Sequence, residues 1–133
     1  MFQRAVIAIC SIAFLLFGLA FALFPSEITT LVTGRHISPV AATDVRAIYG
    51  GMSLGIALFF YLCWRGGSEM QRVGLLAGIW TFGLIALCRL IGIVTGAGSA
   101  TMILLFASEV LGSALCAFAL VSANRTTTVV SAT

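Results

Sequence analysis

Lysine is absent from this sequence, and charge of either sign is scarce. Only 8% of the 133 residues are charged, against roughly 25% in soluble domains, so too little polar surface exists to clothe a water-facing globule. The basic residues are seven arginines scattered singly along the chain, with no patch that tracks phosphates, which excludes nucleic acid as a partner. Histidine occurs once, at His36. That excludes bis-His haem ligation and leaves no imidazole set for a metal. The four cysteines, Cys10, Cys63, Cys88 and Cys116, fall in or at the end of four different apolar runs, without C-x-x-C spacing. A thiol–disulfide relay and an iron–sulfur centre are therefore not expected, and the cysteines read as small core residues. No cofactor or metal is expected. Alternation of period two is missing as well, which excludes a membrane β-barrel.

What remains is 61% hydrophobic, with a mean hydropathy of +1.17. A spanning helix needs about 20 mostly apolar residues, and four such runs are present: residues 5–24, 43–64, 73–94 and 101–123. The expected fold class is all-α, an integral membrane four-helix bundle occupying residues 1–123. The Thr-rich stretch 124–133 is expected to be a disordered tail. Arg4 and the small-x-small triplet Ala20-Phe21-Ala22 have the form of a signal peptide. The apolar stretch is longer than the roughly 7–15 residues of an h-region, however, so span one is retained.

Arginine placement sets the orientation. Arg4, Arg65, Arg72 and Arg125 fall on the side shared by the N-terminus, the second loop and the C-terminus, whereas the opposite side has only Arg35. Both termini are therefore expected in the cytoplasm. The first loop, residues 25–42, then faces outward. Pro25-Ser26-Glu27 reads as a helix start and Gly34 as a stop, with Ile28, Leu31 and Val32 forming a short apolar face at the membrane surface.

Lipid provides no hydrophobic drive between helices, so small residues mark close packing. Such stripes are Ser11, Gly18 and Ala22 in span one, Ala47, Gly51 and Gly55 in span two, and Gly74 and Gly78 in span three. Packing within the bundle is the first reading of them and association with a second copy or partner helix the other.

Apart from Asp44 at the very edge of span two, three charges fall inside the spans: Arg46, Arg89 and Glu109. A mid-membrane charge costs about 2.5–3.5 kcal/mol on insertion scales, so the three are expected to find one another. Counting 1.5 Å per residue from Thr43, Gly96 and Thr101 puts them at about 5, 10 and 12 Å, all in the outer leaflet. Asp44, slightly higher, brings the set to neutrality. Helical spacing adds Tyr49, Gly50 and Ser53 to the face of Arg46, Gly92 and Gly96 to that of Arg89, and Gly112, Ser113 and Cys116 to that of Glu109. One reading is a salt-bridge network that fixes helix arrangement. The other is a pocket in which Arg46 and Arg89 hold an anionic head group and Glu109 exchanges a proton.

The order of these features resembles a bacterial family of small four-span membrane proteins known only as a domain of unknown function. The resemblance rests on Arg46 ahead of Tyr49-Gly50-Gly51-Met52-Ser53-Leu54-Gly55, on Arg89-Leu90-Ile91-Gly92, and on Glu109 in the fourth span. The overall plan is also similar to DoxX-like membrane proteins, some of which accompany oxidoreductases. It implies a multi-pass protein of the bacterial inner membrane.

Three functions are compatible with these residues. The first is a binding or accessory subunit, surrounded by membrane lipids, whose outer-leaflet pocket takes a lipid-like or small anionic ligand or a partner helix. The second is a small membrane isomerase or hydrolase with Glu109 as general acid/base. The third is an ion or small-solute transporter lined by Arg46, Arg89 and Glu109.

Overall fold

A computed structural model of the chain describes residues 1–130. Helix α1 covers Phe2–Leu23. It stops because Pro25 has no N–H to continue the ladder, and the same proline opens α2, Pro25–Thr33, at the first helical position. Gly34 closes α2 in the left-handed region, with φ 71°, a conformation glycine adopts without a Cβ penalty. Start and stop thus fall where the sequence signals them. Ser38 then caps α3, Pro39–Val45, accepting a hydrogen bond from the Ala41 amide at 3.2 Å.

The second long helix is continuous from Pro39 to Arg65, but it is not uniform. Between α3 and α4 (Met52–Arg65) lies one wide π-helical turn, Arg46–Gly51. Helix α5 covers Ser68–Gly92 and also ends in a π-turn, Ile93–Ala97, broken by Gly96 at φ 106°. Helix α6 covers Ala100–Val130. The described residues contain no strand. Among the described residues, four helices are long and apolar enough to cross a membrane: Phe2–Leu23, Pro39–Arg65, Ser68–Gly96 and Ala100–Ser122.

Helices two and three begin four and five residues ahead of the apolar runs. Hydropathy marks what lipid tolerates, whereas the helix continues into polar turns such as Ser68–Arg72, where Glu69 suits the positive helix N-terminus. At the far end the sequence puts the last span's limit at Ala123. The helix is continuous to Val130, and residues 131–133 of the expected tail lie outside the described residues.

Sequential long helices pack antiparallel. Ser11 Oγ donates to the Ala57 carbonyl at 2.9 Å, joining α1 to α4, and Ser113 Oγ donates to the Ile79 carbonyl at 3.1 Å, joining α6 to α5. Gln3 Nε2 reaches the Ala119 carbonyl at 3.5 Å, bringing α6 back to α1. The core lies toward the end that holds the start of α1 and the turn between α4 and α5, around Ile7, Phe14, Phe60, Cys63 and Leu75.

The small residues of α1 and α5 work inside the bundle. A Cβ on Gly18 would come within 2.9 Å of Leu54, and one on Gly78 within 2.6 Å of Cys116 Sγ. Span two differs from expectation. Gly51 and Gly55 have nothing within 4 Å, and it is Gly50 that meets the Ala22 backbone. Its inward seam is Gly50, Ser53, Ala57 and Phe60, one residue off the Gly51–Gly55 pair. Spacing by four identifies a stripe, not the direction it faces.

Candidate functional site

The antiparallel order brings the C-terminal turn of α1, the wide turn Arg46–Gly51, the second half of α5 and the first half of α6 to one end of the bundle. Arg89 and Glu109 meet there. Arg89 Nε donates to both carboxylate oxygens at 2.9 Å, and Nη2 donates to Oε1 at 2.5 Å. Nη1 faces Met102 Sδ at 3.3 Å, a soft acceptor. The side chains are 22% and 11% exposed. The charges neutralise each other, which is how an apolar surrounding tolerates them. Below Glu109, Gly112 lies against the Phe82 ring and Ser113 on the Ile79 carbonyl. These small residues let α6 come close enough to α5 for the pair to close.

Arg46 does not join them. Its Nε donates to the Ala22 carbonyl at 2.8 Å. Ala22 belongs to the last turn of α1, where carbonyls lack an intrahelical partner and the helix end carries partial negative charge. A cation positioned over that end satisfies it at short range. The expected gathering of three charges is therefore two separate arrangements: an ion pair between α5 and α6, and a capping arginine over α1. Among the described residues no acceptor faces the two Nη groups of Arg46, and the residue is exposed.

The companions of Arg46 divide as well. Gly50 and Ser53 are buried, but Tyr49 is half exposed, its ring 5.4 Å from that of Phe21. The wide turn is the physical reason, since a turn closed by i→i+5 bonds moves the i+3 neighbour of Arg46 off the face that the i+4 neighbour keeps. Asp44 is exposed and has no ion-pair partner among the described residues. Gly92 beside Arg89 has nothing within 4 Å.

Sequence reasoning missed two partners, the Ala22 carbonyl and Met102 Sδ. Neither carries a charge pattern that would announce it. An apolar cleft at the opposite end, lined by Ala8, Ser11, Ile12, Tyr61 and Trp64, contains none of these charges. No group of three or more metal-ligating side chains occurs among the described residues.

Chemically, the end offers a closed, neutral carboxylate–guanidinium pair and a second guanidinium with outward donors suited to anion oxygens. No curated protein and no solved structure matches the chain. A family model does match, over residues 2–120. The chain belongs to the family described as domain of unknown function DUF4345.

Proposed function

We propose that this chain is a non-catalytic integral membrane subunit, binding or accessory in role, whose outer end takes an amphiphile with an anionic head group. Arg46 is the head-group contact. The observation that carries this reading is the guanidinium geometry: Nε is fixed on the Ala22 carbonyl and both Nη groups lack a protein acceptor among the described residues. An oriented fork of donors is suited to phosphate or carboxylate oxygens. Leu23, Phe24 and Ile48, close in sequence to Ala22 and Arg46, are 63%, 55% and 46% exposed, which suits the apolar part of such a ligand. Tyr49 adds an amphipathic ring of the kind found at membrane interfaces.

The same reading places the chain in a bacterial inner membrane with both termini in the cytoplasm. The orientation rests on Arg4, Arg65, Arg72 and Arg125 on one side against Arg35 on the other, and the bacterial inner membrane on the resemblance alone. Arg46 then lies at the outer interface, at headgroup level.

Acid/base catalysis by Glu109 is less well supported, because both of its oxygens accept from Arg89 and the pair would have to open first. Transport along a path lined by all three charges is less well supported too, since Arg46 is directed to α1 rather than to the pair. The test is native mass spectrometry of the purified protein titrated with phosphatidylglycerol or phosphatidylcholine. Tighter retention of the anionic lipid, lost in Arg46→Gln, supports the reading. Equal retention of both lipids by the parent overturns it.

A further inference from the structure

Cys10 of α1 and Cys116 of α6 meet in the bundle core with 3.7 Å between their sulfurs, although 106 positions separate them in the chain. They are 4% and 1% exposed. A third helix contributes to the arrangement: a Cβ on Gly78 of α5 would lie 2.6 Å from Cys116 Sγ, so this sulfur occupies space that a side chain on α5 would take. Cys63 is buried against Gly74 and Cys88 is exposed, and all four cysteines are free thiols. The contact between two thiols is therefore a particular arrangement of α1, α5 and α6, and not a general property of the chain's cysteines.

We propose that Cys10 and Cys116 are a redox-active pair that closes into a disulfide joining α1 to α6, with a lipid-soluble organic hydroperoxide as the two-electron oxidant. The two sulfurs already touch, and bonding brings them to about 2.05 Å, a movement within reach of small side-chain and helix adjustments. Ile7, Phe14 and Phe60 belong to the same buried cluster, so a water-soluble oxidant has no polar route inward. A lipid-soluble one shares the solvent of the helices.

The chemistry balances in two steps. One thiol sulfur attacks the terminal peroxide oxygen, the O–O bond breaks, and the departing alkoxide takes the thiol proton to leave as an alcohol. The attacked oxygen stays on sulfur as a sulfenic acid. The second thiol sulfur then attacks that sulfur, the S–O bond breaks, and hydroxide leaves with the second thiol proton as water. Two thiols and one hydroperoxide give one disulfide, one alcohol and one water. Each sulfur is oxidised by one electron, and the peroxide oxygens accept both.

The experiment uses the full chain reconstituted in phosphatidylcholine vesicles, with cumene hydroperoxide as the probe and intact-mass and peptide mass spectrometry as the readout. The expected result is loss of two hydrogens from the intact mass, a linked peptide pair containing Cys10 and Cys116, and reversal by a lipid-soluble phosphine. A Cys63→Ala, Cys88→Ala variant is expected to behave as the parent, while Cys10→Ala gains oxygen on Cys116 in place of a link. An unchanged mass, oxygen addition to the parent without a Cys10–Cys116 link, or a link through Cys63 or Cys88 would each overturn the proposal.

Discussion

Arg89 on α5 and Glu109 on α6, twenty residues apart, form an ion pair in which one guanidinium nitrogen lies 2.9 Å from both carboxylate oxygens. Neither charge is left over for a third group of opposite sign. Such a pair adds little net stability compared with apolar residues, but each partner alone is costly, because the survivor stays charged in an apolar surrounding.

Glu109→Gln is therefore expected to destabilise the fold by about 3 kcal/mol, and Arg89→Gln by a similar amount. The double variant recovers much of the loss, giving a favourable coupling in a double-mutant cycle. Unfolding in mixed detergent micelles measures it. If all three variants unfold with the parent, the pair has no structural role.

Arg46 is attached differently, and its replacement should behave differently. Arg46→Gln removes a cation from the end of α1 and is expected to cost about 0.5–1 kcal/mol. The same unfolding measurement compares it with Arg89→Gln. A loss as large as that of Arg89→Gln would mean that Arg46 belongs to the buried network after all.

The glycines provide a matched comparison. Gly78→Ala puts a methyl group 2.6 Å from Cys116 Sγ and is expected to cost about 1–3 kcal/mol through overpacking. Gly55→Ala meets nothing within 4 Å, so it is expected to be neutral or mildly stabilising, since alanine is the better helix former. Equal effects from the two would contradict the packing described for α5 and α6.

Orientation is tested by cysteine accessibility in a background without the four native cysteines. Ser99→Cys, between the third and fourth spans, is expected to react with a membrane-impermeant maleimide from outside intact cells. Ser68→Cys, between the second and third, is expected to react only after permeabilisation. The reverse pattern would place both termini outside.

Much of this architecture is legible in the sequence because a helix long and apolar enough to cross a membrane declares itself by its hydropathy and length alone. Pro25 and Gly34 likewise announce α2 through their own backbone restrictions. The direction of the span-two stripe is not legible, because Gly51 and Gly55 have the same spacing whether they face a neighbouring helix or lipid. The pairing of Arg89 with Glu109 follows from charge and depth. The diversion of Arg46 does not, since its partner is a backbone carbonyl at Ala22 and every residue has one. The Cys10–Cys116 contact is hidden for a related reason: a close spacing such as C-x-x-C can be read in a sequence, whereas these two are 106 positions apart and meet only through the folded bundle.

The most direct test of the division between a closed pair and an open arginine is the ligand that co-purifies. The parent, Arg46→Gln and Arg89→Gln are isolated in mild detergent and compared by native mass spectrometry. The expected result is an anionic amphiphile retained by the parent and by folded Arg89→Gln, and absent from Arg46→Gln. Retention by Arg46→Gln with loss from folded Arg89→Gln would contradict it, and would place the ligand at the α5–α6 pair.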